Sequence, residues 1–193
     1  MYTQLGPGVE TYQLKVCLRE IRPQVWRRIQ VSGDITLPRL HMVLQAVMGW
    51  TNSHLHMFTV DGTDYGEPDP DFPDDVPMID ERRKRLNKLV IRRNTRIIYA
   101  YDFGDNWQHD ILVEKIFRPE PWHNHPFCLE GARACPPEDV GGVSGYRDFR
   151  RSIRHPRDPE HDSCLTWVGG AFDPEGFDIN AVNRTLSGSR FRF

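Results

Sequence analysis

His54 and His56 lie two residues apart in a segment that reads as a strand, so both imidazoles would share one face. Trp107, His109, Ile111 and Val113 repeat the same period in a second segment. If the two strands are neighbours, two or three imidazoles converge beside the carboxylates of Asp102, Asp105, Glu138 or Asp139. Histidine nitrogens, carboxylate oxygens and an open position for water are the ingredients of metal-assisted hydrolysis. A histidine on an apolar face also serves as a hydrogen-bonded core residue, and the spacing leaves both readings open.

Cys128 and Cys135 are separated by six residues in a proline- and glycine-rich stretch, 118–145, that has no apolar period. An ion bound by thiolates orders such a segment. His109, His123 or His125 would complete the ligand set, and a cysteine and histidine mixture suits zinc better than magnesium or calcium. The spacing is wider than that of most zinc knuckles, and two reduced thiols packed as small hydrophobes are the simpler reading.

Two short motifs have local explanations beside chemical ones. In Tyr101-Asp102-Phe103-Gly104-Asp105 the glycine permits a positive φ, and either aspartate can accept bonds from turn amides. In Pro136-Pro137-Glu138-Asp139, followed by Gly141-Gly142, two carboxylates sit on a stiff loop, as an acid pair or as a cap for a helix near Gly145.

Charge is arranged in blocks. Residues 61–81 hold nine acidic side chains and no basic one, and residues 82–96 hold eight basic and no acidic one. The run Arg82, Arg83, Lys84, Arg85 is a candidate phosphate contact, with Arg27, Arg28 and the late arginines Arg147, Arg150, Arg151 and Arg154 as further positive surface. A pI near 6.4 and the adjoining acidic block argue against a dedicated nucleic-acid binder. Phosphate loops, a nucleophile elbow and a HExxH helix are all missing from the sequence.

The elements that must position these groups follow from periodicity. Thr11–Arg19 and Val25–Val31 alternate as antiparallel strands across Pro23. Leu37–Met48 is a helix with Thr36 as N-cap, Pro38 in its first turn and Gly49 as its end. His54–Val60 forms a third strand, and Asp64–Asp80, with four prolines, reads as a surface loop. Residues 86–93 are ambiguous between helix and strand. Arg96–Phe103 and Trp107–Phe117 make a hairpin about Gly104-Asp105-Asn106. Helices are expected at about 145–154, 158–168 and 178–187, the last capped by Asp178.

Strands early and helices late predict an α+β fold, a mainly antiparallel sheet with helices packed on it, as one domain over 1–193. The 193 residues carry 25 Lys+Arg against 27 Asp+Glu, and 21 aromatic side chains (5 Trp, 6 Tyr, 10 Phe) supply the area a core needs. Neither a membrane span nor an export signal is legible, so a cytoplasmic protein with four reduced cysteines and no membrane partner is the expectation.

WRRIQV (26–31), LHMVLQAVMGWTNSHLHMF (40–58), YDFGDNWQHDILVE (101–114), CLEGARACPPEDVGG (128–142) and GGAFDPEGFDINAVN (169–183) together resemble the Ri-plasmid open-reading-frame-three-like family, also labelled passenger TnpR-like. The resemblance spans about 11–187 and implies a small cytoplasmic α+β domain associated with mobile elements, of no established biochemical role. Family members often carry a third cysteine directly after the PPED; this chain has Val140. No serine-recombinase nucleophile accompanies the TnpR label. The reading that results is a binding or accessory domain. Its face carries His54, His56, Asp102, Asp105, Trp107, His109, Glu138 and Asp139, and engages a protein or small-molecule partner. Metal-dependent hydrolysis is the alternative and nucleic-acid binding a second one.

Overall fold

The structure is a computed structural model that describes residues 9–68, 78–118 and 125–191. Tyr12, Leu14, Val16 and Leu18 turn one side of β1 (Thr11–Leu18) wholly inward, which fixes its register. β1 pairs antiparallel with both β2 (Trp26–Ser32) and β7 (Trp107–Phe117). With β3 (His56–Val60), β4 (Thr63–Gly66), β5 (Ile79–Asp80), β6 (Arg96–Tyr101) and β8 (Phe127–Ala132) they form one sheet in the order β5-β4-β3-β6-β7-β1-β2-β8. Every ladder is antiparallel except the short β4–β5 pair.

The two faces differ as the strand pattern requires. On β7 the residues Trp107, His109, Ile111 and Val113 point into the core, and Asp110 and Glu114 on the other face pair with Arg19 and Arg28. α1 (Leu37–Met48) buries Leu37, Leu40, Val43, Leu44 and Val47 together with His41 and Gln45. Its Thr36 side chain makes no cap; the main-chain N–H of Leu37 instead donates to the Lys84 carbonyl at 2.9 Å. Gly49, at φ 92°, ends the helix as expected. α2 (Leu86–Leu89) settles the ambiguity at 86–93 as a single helical turn. α3 (Gly142–Arg154) packs against α4 (His161–Trp167), and α5 (Ile179–Leu186), capped by the Asp178 carboxylate, packs on β8 and α1.

Three expectations change. The acidic stretch is not all loop, because β4 and β5 occupy its ends at the sheet's edge, where few ladder bonds are needed; residues 69–77 lie outside the described residues. The 118–145 stretch contains β8, whose short alternation was hidden by flanking prolines. Arg27 is not surface charge. Only 2 % exposed, it donates Nε–H to the Val47 carbonyl and its terminal nitrogens to the Trp26, Ala132 and Arg133 carbonyls at 2.7 to 2.9 Å, with its carbon 3.9 Å from the Phe177 ring centre. A buried cation is held here by carbonyl dipoles instead of a carboxylate, which ties β2, α1 and the end of β8 together.

Candidate functional site

The hairpin turn between β6 and β7 builds one wall. Asp102 leaves the strand at φ 56°, and its Oδ1 accepts the main-chain N–H groups of Gly104 at 3.0 Å and Asp105 at 3.2 Å. Its own N–H donates to the Leu55 carbonyl at 2.9 Å, so the turn is tied to the segment between α1 and β3. The residue is 6 % exposed, and its Oδ2 stays outside the two amide bonds of the turn. That oxygen faces His54 Nε2 at 3.6 Å.

Asp139 arrives from the other side, on the loop after β8, at φ 59°. Its Oδ1 is 3.0 Å from His54 Nε2, yet that nitrogen is buried and lacks a hydrogen bond of proper direction. The three donor atoms lie within 4.8 Å of one another. Left-handed backbone at two non-glycine residues of one site costs on the order of 1 kcal/mol or more each, and persists only where surroundings enforce it.

The enforcement is visible. Trp50 Nε1–H donates to the Pro136 carbonyl at 2.9 Å, and the indole stacks on Tyr101 with ring centres 4.9 Å apart. Glu138 accepts bonds from the Tyr101 hydroxyl and from Thr51. Burial, and then the bond to Glu138, raise the Tyr101 phenol above its ordinary value, so it stays a donor. Asp105 Oδ2 accepts the Gly141 N–H at 3.1 Å. A Cβ on Gly142 would stand 2.7 Å from the Asp105 carbonyl oxygen, and the residue has φ 66°, so glycine alone lets the loop approach this closely. Asp105 and Glu138 are therefore clasps, and Asp139 is the carboxylate they present.

Beside this group a cleft of about 610 Å³ opens between α1 and β3. Pro38, Met42 and the exposed Leu55 give it an apolar wall; Ser53, His54, His56 and Glu81 give it a polar one. His56 stacks on His41 with ring centres 3.5 Å apart and planes inclined by 5°. His41 Nε2 faces Asn52 Oδ1 at 2.5 Å and Nδ1 faces the Tyr99 hydroxyl at 2.8 Å, which also accepts from Gln45 Nε2. That pattern fits a neutral ring with the proton on Nε2. Burial first, and His56 second, lower the His41 pKa to about 4. His56 Nε2 meets Glu81 Oε1 at 3.0 Å, and Glu81, 3 % exposed, keeps Oε2 without any hydrogen bond.

The structure redistributes the expected face. His54 precedes β3 instead of sharing a face with His56, so the two rings line one cleft from different directions. Trp107 and His109 are core. His109 is fully buried, its Nδ1 lies 3.2 Å from the Tyr99 carbonyl, and burial lowers its pKa to about 4. Cys128, Cys135 and His109 do not converge as a three-ligand group among the described residues. The Arg27 cation lies near both thiols, and Cys128 Sγ donates to the Glu130 carbonyl at 3.4 Å. Burial pushes the thiols up to about 11 for Cys128 and about 12 for Cys135. His125 turns to the Pro126 carbonyl, and His123 lies outside the described residues.

Of the basic run, Arg82 forks onto Asp80, Arg85 reaches Asp34 and Lys84 lies over Tyr65. Sequence reasoning missed His41, Asn52 and Glu81. The signal for His41 was available: with Gln45 it forms a polar i, i+4 pair on the otherwise apolar stripe of α1. Glu81 had none, being one of nine acidic residues spread over 61–81.

An uncharacterized protein of Sinorhizobium fredii, y4hQ, is 40% identical over 176 residues, covering 90% of this chain and 89% of its own. The crystal structure of MM3350 from Methanosarcina mazei Go1, a protein of unknown function, superposes with a TM-score of 0.80 at 35% identity, over 90% of this chain and 96% of that one. The family model described as plasmid pRiA4b ORF-3-like protein matches residues 10–181. The chain belongs to the plasmid pRiA4b ORF-3-like family.

Proposed function

We propose that the protein binds a small amphipathic molecule in the cleft between α1 and β3, with His56 and Glu81 as its polar anchor. One observation carries this reading: a nearly buried carboxylate, Glu81, lines an open cleft of about 610 Å³ with one oxygen on His56 and the other unpartnered. A buried carboxylate oxygen without a donor is costly, and a ligand donor would relieve it. Concave sites with an apolar wall and few convergent polar groups are where small ligands bind. The apolar wall of Pro38, Met42 and Leu55 would take a hydrocarbon part, and the imidazole and carboxylate a hydroxyl or amine.

The test is a fragment screen by ligand-observed nuclear magnetic resonance, with chelator present throughout. Hits bearing a hydroxyl or amine on a short apolar body are expected, weakened at least about tenfold in Glu81→Gln and Leu55→Arg. A screen without hits, or hits indifferent to both substitutions, overturns the reading.

Metal-assisted hydrolysis is the second reading. The observation favouring it is that His54 belongs to both the cleft lining and the group with Asp102 and Asp139. Assays of chromogenic phosphate and carboxylic esters with added Zn²⁺ or Mn²⁺ test it. Turnover lost in both His54→Ala and His56→Ala supports it, and absence of turnover removes it.

A further inference from the structure

We propose that His54 Nε2, Asp102 Oδ2 and Asp139 Oδ1 form a binding site for one divalent first-row cation at the junction of the hairpin turn and the loop after β8. The proposal goes beyond the ligand cleft and does not need it.

Geometry sets the three atoms apart from an ordinary ion-paired cluster. A histidine bridging two aspartates as a hydrogen-bond donor would direct one N–H at one oxygen. Here Nε2 lies 3.0 Å from Asp139 Oδ1 and 3.6 Å from Asp102 Oδ2 without a directed hydrogen bond to either. These 3.0 and 3.6 Å separations bracket the roughly 3.3 to 3.6 Å between tetrahedral ligands about 2.0 to 2.2 Å from a common centre, and all three atoms lie within 4.8 Å of one another.

Asp102 supplies an independent observation. Its side chain is 9 % exposed, and its Oδ1 is committed to two turn amides. Oδ2 stands 3.6 Å from His54 Nε2, a buried nitrogen that has no hydrogen-bond partner. This division of labour, one oxygen fixed by the backbone and the other turned to His54, is how an outer set of bonds orients a metal-binding carboxylate. Asp139 is oriented in the same sense by its neighbours, since Glu138 and Gly141 on either side are clasped to Tyr101 and Asp105.

The donor set limits the ion. One imidazole with two carboxylates favours zinc or manganese over a soft ion, which would prefer thiolate, and over calcium, which takes six to eight oxygens. Asp139 is 70 % exposed at its side chain, so one side of the ion would face water and keep open positions. His54 faces the α1–β3 cleft, and Asp139 also lines a second hollow of about 320 Å³ with Phe149, Cys164 and Trp167.

Isothermal titration of tag-free protein with Zn²⁺ alone, and water-proton relaxation with Mn²⁺ alone, test the site. One ion per chain is expected, with affinity falling at least about tenfold in Asp139→Ala and in His54→Ala. Asp139 is exposed, so its variant keeps its fold, which an unchanged melting temperature checks; Asp102→Asn is the more drastic variant. Cys135→Ser, which alters a thiol outside the three-ligand group, leaves the affinity unchanged. Failure to bind either ion at millimolar concentration, or binding unaltered by Asp139→Ala and His54→Ala, overturns the proposal. Because the fragment screen runs in chelator, loss of the metal site and loss of the ligand cleft are separate outcomes.

Discussion

Single residues show how much this chain invests in buried polar groups. Arg27 forms no ion pair among the described residues; four carbonyls from Trp26, Val47, Ala132 and Arg133 receive its N–H groups. Removing it strands those acceptors in the interior, where each unsatisfied group costs about 1 to 3 kcal/mol. We expect Arg27→Ala to lower unfolding free energy by at least about 3 kcal/mol in urea titration, and a loss under 1 kcal/mol would sink the account. The sheet's outer ion pairs predict the contrast. Arg19→Ala, which breaks the half-exposed pair with Asp110, should cost under about 1 kcal/mol in the same titration.

At the scale of elements, the site exists because one loop is clasped to one turn. Gly141 and Gly142 let the start of α3 meet the Asp102–Asn106 turn, and Glu138 and Trp50 fasten the loop to β6 and the end of α1. Gly142→Ala combines a left-handed backbone with a Cβ 2.7 Å from a carbonyl oxygen. The expected result is roughly 1 to 3 kcal/mol of destabilisation, with faster amide exchange confined to the loop and turn. Protection unchanged around Asp139 would show that the close approach is not needed. A second element-scale device covers the sheet's edge. Asn183 of α5 donates to the Cys128 carbonyl and accepts its N–H, each at 2.8 to 2.9 Å, standing where a neighbouring strand would. Asn183→Leu should therefore detach α5 from β8, lower the melting temperature and raise association at high concentration, which light scattering would register.

Across the whole molecule, acid is the expected weakness. His41 and His109 have folded pKa values of about 4, both lowered first by burial. In the unfolded chain a histidine titrates near 6.5, so between about 6.5 and 4 the unfolded state binds more protons than the native one. Stability is therefore lost as pH falls through that window, by roughly 3 kcal/mol for each ring at its lower end. Urea midpoints measured at pH 7 and pH 5 should show the fall, and His109→Gln should flatten it; midpoints independent of pH would contradict it. None of this was visible in the pattern of residue types, which placed His109 and Trp107 on the working face because period two cannot tell a core face from a ligand face. What the sequence determined was the longer regular elements: alternation over Thr11–Leu18 and Trp107–Phe117, the apolar stripe of Leu37–Met48, the hairpin, and Asp178 as a cap, all written in short-range spacing, whereas β4, β5 and β8 were not legible. It also put His54, Asp102 and Asp139 among the candidates by chemistry alone. Only the tertiary structure decided that these three meet while Cys128, Cys135 and His109 do not. The meeting depends on a loop clasped to a turn some 36 positions earlier in the chain, a long-range contact that leaves no period in the sequence.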